Sequence, residues 1–205
     1  MELVRVTVAG WAAATLAVGA VSTGCSAGTK TAAPSAPSSG ATSSSSAASS
    51  SGSGTAAPTD YSSLLIKASD IGGDLSGSQP PVLNPNGASG VAQLFANTDN
   101  SRRIGDTILI VADPAAAAAG LDNTKTNYGG KVSGNWQPVD VGANGALISG
   151  TSPDNSQAIT VLLFTEGKAL VNLEFDSAPN DPIDADVAKD IGRKQDAAIK
   201  KGLPS

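Results

Sequence analysis

From Ser26 to Thr59 the chain uses almost nothing but five residue types. Lys30 apart, every position in this tract is Ser, Ala, Gly, Thr or Pro. Such a stretch has no apolar periodicity, so side-chain burial cannot offset the entropy of ordering it. It reads as a flexible linker over 25–59, and folding is expected only beyond it, in a single domain over 60–205. The linker's coil dimension is about 30 Å, from roughly 5–6 Å times the square root of its residue number. Full extension reaches on the order of 110 Å. Ser/Thr tracts with Pro are also common O-glycosylation acceptors, with a plain spacer as the alternative reading.

The segment before the linker has the layout of an export leader over 1–24. Met1 to Arg5 is a short charged start, and Val6 to Val21 runs without a charge. That run is short and rich in Ala and Gly. It fits a signal h-region better than a spanning helix, which needs about 20 strongly apolar residues. Small residues come next, and then Cys25, the only Cys of the chain. The segment Val21-Ser22-Thr23-Gly24-Cys25 resembles the lipobox of bacterial lipoproteins, with Ser22 where Leu or Val is more usual. The resemblance implies cleavage before Cys25 and diacylglycerol on its thiol. The plain alternative is an ordinary cleaved leader with an incidental Cys. Two or three acyl chains anchor stably, because each buried CH₂ adds roughly 0.8 kcal/mol and one chain alone is marginal. A nucleophile-elbow pattern, Gly24-Cys25-Ser26-Ala27-Gly28, also falls here. It lacks the strand and helix that motif requires.

Composition then excludes several activities. The 205 residues include 13 Lys+Arg, 18 Asp+Glu and no His, for a net charge of −5. An acidic chain offers no basic face for nucleic acid. Without His it lacks the commonest general base near neutral pH and the commonest metal ligand. One Cys rules out an internal disulfide, a Cys-rich zinc site and a Cys-held iron–sulfur cluster.

Beyond Asp60 the patterning is that of an α+β domain: an antiparallel sheet of about five to six strands with flanking helices. Tyr61 to Ile71 reads as a short helix ended by Gly72-Gly73, and 74–90 as a long loop. Val91–Asn97 and Thr107–Ala112 read as strands around a polar turn at 98–103. Asp113 and Pro114 are a helix cap and a first-position proline, predicting a helix to about Tyr128. Strands are expected at 136–141, 146–149 and 158–165. Glu166-Gly167-Lys168 then turns into 169–176, where Leu170, Asn172 and Glu174 alternate with Val171, Leu173 and Phe175. Asp181 and Pro182 predict the start of a final helix, with Ile183, Val187, Ile191 and Ala198 on its apolar stripe.

The Leu64-Leu65-Ile66 segment, the hairpin at Glu166-Gly167-Lys168 and Lys194-Gln195 in the last helix carry a second resemblance. The domain is similar to those of actinobacterial envelope lipoproteins of the LpqN/LpqT type, whose fold is Mog1/PsbP-like. It is also similar to the extracellular sensor-like domains of mycobacterial serine/threonine kinases. Those kinase domains usually carry disulfides, and this one has no Cys. Both resemblances imply a surface-displayed module that binds a ligand or partner and is not an enzyme.

The residues themselves offer little catalysis. Asp181, Asp184, Asp186 and Asp190 are the densest acidic group. They read as cap and helix-face charges, with Ca²⁺ as the alternative and no EF-hand spacing. Ser101-Arg102-Arg103 is a basic turn that could touch anionic headgroups. Gly142-Ala143-Asn144-Gly145 reads as a hairpin turn, and no phosphate loop or dinucleotide fingerprint occurs. Trp136 and Tyr128 flank a Gly-rich stretch and are the ligand-lining candidates, with ordinary core as the plain reading. Phe95, Phe164 and Phe175 are expected in the core. No cofactor and no metal are expected. The expected partners are a membrane, through lipid at Cys25, and a hydrophobic or envelope ligand or an envelope protein; nucleic acid is not among them. The expected place is the extracytoplasmic face of the cell membrane. An envelope hydrolase using Ser or carboxylates and a purely structural surface antigen are the alternatives. An apolar cavity of roughly 300–1,000 Å³ would favour a carrier, and a filled core a surface module.

Overall fold

In a computed structural model of the chain, residues 59–203 are described. The leader, Cys25 and the linker up to residue 58 lie outside the described residues.

The domain opens with a 3₁₀ turn (Ser62–Leu64) and α1 (Ala68–Ile71). Next in the chain are β1 (Ser76–Gly77), β2 (Val82–Leu83), β3 (Gly90–Ala96), β4 (Arg103–Ile110) and α2 (Pro114–Asn127). Then come β5 (Gln137–Pro138), β6 (Ala143–Thr151), β7 (Ala158–Glu166), β8 (Ala169–Ser177) and α3 (Ala185–Gly202). All strands join one antiparallel sheet in the order β1-β3-β4-β8-β7-β6-β5, with β2 also on β3. The fold is α+β, as expected. Five strands are long, and β1, β2 and β5 are two-residue pieces along the margins.

Each long strand sorts its side chains by the two-residue period. On β8, Val171, Leu173 and Phe175 enter the larger core with Phe95, Phe164, Ile191 and Ile199. Leu170, on the opposite face, joins a smaller core under α2 with Leu121, Tyr128 and Val161. The middle of β7 is apolar on both faces because a core packs against each: Leu162 and Phe164 meet one core, and Val161 and Leu163 the other. The hairpin between β7 and β8 turns at Gly167, whose φ of 53° is the left-handed region that a side chain disfavours.

Several expectations are corrected. The helix expected over 61–71 is split. Leu65 is extended between the 3₁₀ turn and α1, and the Ile66 N–H donates to the Gln195 side chain rather than to a helical carbonyl. The last helix starts at Ala185, capped by Asp184, whose carboxylate accepts the Asp186 N–H at 2.7 Å. Asp181 pairs instead with Arg102 at 2.5 Å. The buried stripe of α3 accordingly runs through Ala188, Ile191, Gly192, Gln195 and Ile199, while Val187 is 50% exposed. Gly192 is required on that stripe, since a Cβ there would stand 2.3 Å from Leu162 Cδ2. Finally, the strand expected at 136–141 shrinks to Gln137–Pro138, and β4 begins four residues earlier than Thr107.

Candidate functional site

Tyr128 and Trp136 do come together. Tyr128 caps the C-terminal end of α2, and the two rings meet edge to face with centroids 6.1 Å apart. Tyr128 is buried in the smaller core and Trp136 packs against it, half-buried. The aromatic pair is therefore core, in line with its plain reading, but the phenol tip is polar and networked. The Tyr128 hydroxyl donates to the Glu174 carboxylate and accepts from Asn172 Nδ2 at 2.9 Å. Asn172 and Glu174 are the outward members of the β8 alternation, and Asp176 continues it to meet Arg103 at 3.1 Å. Lys131 Nζ lies 5.7 Å from the Tyr128 ring centre.

Burial, reinforced by the Glu174 charge, pushes the Tyr128 phenol well above its ordinary range. Burial also lifts the Asp176 carboxyl to about 6, with Glu174 adding to the rise and Arg103 opposing it. Exchanging Tyr128 for Phe strands the Asn172 amide and removes a donor from Glu174. A loss of about 1–3 kcal/mol is expected, the range for leaving buried polar groups unpaired. Urea unfolding of Tyr128→Phe beside the parent protein checks it, and equal midpoints would mean the network is indifferent.

The other face of the sheet holds a group that the sequence pattern does not single out. Asp106 lies between Ile104 and Ile108 on β4, fully buried, and neither carboxylate oxygen has a hydrogen-bond partner. Burial alone raises its pKa to about 8. Nearby, the segment 62–71 is strapped to α3 by one side chain. Gln195, fully buried, accepts the Ile66 N–H at 3.0 Å and donates to the Leu64 carbonyl at 2.6 Å. Lys194 adds a bond to the Asp70 carbonyl at 2.8 Å. Between this strap and β3 lies an open cleft of about 310 Å³, lined by Ser62, Ser63, Leu65, Lys67, Gln93 and Phe95 among others. A second cleft of about 170 Å³ separates the Ile71–Leu75 loop from Ile183, Val187 and Ile191. Beneath α3 the interior is solid: Leu162, Phe164, Phe175 and Ile199 have no exposed surface.

The remaining candidates are used locally. Asp181 pairs with Arg102, Asp186 with Lys189 and Asp190 with Lys194. Among the described residues no three His, Cys, Asp or Glu side chains gather as a metal site would need. Arg102 and Arg103 each hold an aspartate, so the basic turn is already neutralised. Gly142 and Asn144 both take positive φ, consistent with a turn, and β6 begins within that segment with an irregular register between Ala143 and Ala146.

The chain matches no family model, and no curated protein matches its sequence. Among solved structures it is similar to the extracellular domain of PknH from Mycobacterium tuberculosis, with a TM-score of 0.51 and 10% sequence identity. The likeness covers 68% of this chain and 94% of that domain. At such identity it concerns the fold, which the present chain reaches without a Cys beyond position 25.

Proposed function

We propose that this chain is a lipoprotein of a bacterial cell envelope, held to the membrane by acyl groups on Cys25, that displays a non-catalytic interaction domain on the 25–59 linker. The observation that carries the reading is the fold: the described domain is built like a protein domain that is extracellular. The lone Cys at the end of a leader-like segment supports the anchor, and the packed interior supports recognition at the surface rather than carriage of a bulky cargo inside.

Replacing Cys25 with Ser tests the anchor. The parent protein is expected to take up an alkyne-labelled fatty acid and to sediment with membranes. Cys25→Ser is expected to lose the label, keep the uncleaved leader and migrate more slowly on a gel. Unaltered labelling and distribution would overturn the lipoprotein reading.

One observation favours a hydrolase instead. Glu174 and Asp176 share a strand face, and burial lifts the Asp176 carboxyl to about 6, the direction a general acid needs. Asp176 is nevertheless held by Arg103, and neither described cleft includes the pair. A broad esterase and glycosidase screen is expected to find no turnover; activity lost in Glu174→Gln would reverse the assignment.

A further inference from the structure

Gln93, on the wall of the 310 Å³ cleft beneath the strap, uses only half of its amide. The side chain is held at the edge of β3, and the residue is 8% exposed. Its Nε2 donates to the Gln79 carbonyl at 2.5 Å and to the Leu94 carbonyl at 3.1 Å. Two carbonyl partners fix which branch of the amide is nitrogen, since only the nitrogen can donate. The oxygen on the other branch accepts no hydrogen bond among the described residues. The sealed, unpartnered side-chain atoms of the core belong to Asp106, Ser177 and Asp196, and not to Gln93. The Gln93 oxygen therefore has access from the cleft that its residue lines. A nearly buried amide locked in one orientation, with a free acceptor, is a fixed polar point of the kind that orients a ligand.

We propose that this cleft binds an N-acylated apolar amino acid, its N–H on the Gln93 carbonyl, its carboxylate on Lys67 and its side chain against Leu65 and Phe95. Lys67 is the one charged side chain of the lining. It is exposed, and among the described residues its ammonium joins no ion pair. Asp60 and Asp70 are near in sequence, but they accept the Ser62 and Lys67 N–H groups, and neither lines the cleft. Leu65, Ile66, Pro81 and Phe95 supply the apolar wall. A ligand that satisfies this wall needs a donor, an anion and an apolar group close together. An N-acyl amino acid carries all three on one carbon. About 310 Å³ is the small end of the range for ligand pockets, which suits one such residue and not a long chain. The assignment rests on the reading of the domain as an interaction module and deepens it by naming a ligand class.

The test is titration of the full chain with N-acetyl-leucine, monitored through the backbone amide resonances. Saturable shifts are expected at Leu65, Ile66, Lys67, Gln93 and Phe95, with Tyr128 and Val187 left in place. N-acetyl-leucinamide lacks the carboxylate and is expected to bind about two- to fivefold more weakly, as for an ion pair open to water. Isocaproate keeps the carboxylate and branched chain but has no N–H. It is expected to bind about fivefold more weakly, the size of one net hydrogen bond. Lys67→Met, at an exposed position, is expected to abolish the preference for the acid over its amide. Acetyl-Ala-Ala-Leu separates two sources of the same chemistry: tighter binding than N-acetyl-leucine assigns a peptide terminus, and equal or weaker binding a free N-acyl amino acid. The absence of a saturable shift, shifts centred on Val187, or a preference for the amide or for isocaproate would each overturn the proposal. So would an acid preference that survives in Lys67→Met. The broader reading fails through catalytic turnover or an unlabelled Cys25, which are measured separately, so the two failures are distinguishable.

Discussion

Exchanging Asp106 for Asn should make the domain more stable at neutral pH and change how its stability responds to pH. The sign comes from proton numbers. In the unfolded chain the carboxyl titrates at its ordinary 3.8, and in the folded domain at about 8. Between those values the folded state holds a proton that the unfolded state has released, so raising the pH favours unfolding. The slope approaches about 1.4 kcal/mol per pH unit, the free energy of one pKa unit. Below the unfolded value both states are protonated and the substitution should matter little. Near pH 7 the gain should amount to several kcal/mol, a large share of the about 5–15 kcal/mol that holds a typical domain together.

A second acid shapes the lower part of the same curve. Asp176, raised to about 6, also takes up a proton on folding and contributes loss between about 4 and 6. Asp60, Asp99, Asp154 and Asp186 are all lowered by local hydrogen bonds and act oppositely at more acid pH. The window from 6 to 8 therefore isolates Asp106. Urea unfolding across that window should show a falling midpoint in the parent protein and a flat one in Asp106→Asn. Parallel curves would mean that water or a neighbouring donor satisfies the carboxyl.

Asp106 is hidden in the sequence because apolar patterning starts its strand too late. Arg103–Ile110 reads RIGDTILI, and only its second half is apolar enough to announce a strand. With the strand begun at Thr107, Asp106 falls just before it, between the turn at 98–103 and the strand, and has no reason to be inward. Begun at Arg103, the two-residue period puts Ile104, Asp106 and Ile108 on one face, and the acid stands out at once. The hairpin from Ala158 to Ser177, the cap at Asp113 and the apolar turns of α3 are legible because pattern and turn chemistry agree locally. The 61–71 segment is not, because its course is set by a side chain more than a hundred residues away. No local rule tells that Ile66 will surrender its N–H to Gln195. Tyr128 and Trp136 can be paired from their spacing, but Asn172 and Glu174 join them only through strand register, which aromatic spacing does not encode.

That register also divides the sheet into two different environments. On the α2 side, each acid has a donor: Tyr128 serves Glu174 and Arg103 serves Asp176. On the α3 side the acid has none, because the strap and helix bring chiefly Leu64, Ile66, Ile191 and Ile199, and the one amide among them, Gln195, is committed to the strap's own backbone. A polar side chain that holds backbone in place cannot also solvate a carboxylate. The orphaned acid and the single-residue latch both follow from amides on that face being committed to backbone: Gln195 to the strap, and Gln93, opposite Asp106, to the Gln79 and Leu94 carbonyls.

Substitution of that latch carries the second large effect. Gln195→Met keeps length and volume but leaves the Ile66 N–H and the Leu64 carbonyl without the partners they have in the folded domain. Each of the two stranded backbone groups costs about 1–3 kcal/mol, so the total loss should be about 2–6 kcal/mol. Leu64 and Ile66 remain good core residues, 1% and 5% exposed. The strap is therefore expected to loosen before the sheet does, since local opening requires only these contacts to break. Amide exchange should quicken from Leu64 to Ile71 while β7 and β8 keep their protection up to the reduced global stability. Gln195→Glu separates the two bonds: it retains an acceptor for Ile66, loses the donor to Leu64 and buries a charge, so it should be worse than Met at neutral pH and recover toward it in acid. Uniform acceleration across strap and sheet would show that the segment unfolds only with the whole domain. Unchanged exchange at Ile66 would show that apolar packing alone fixes the strap, and the latch would then be incidental.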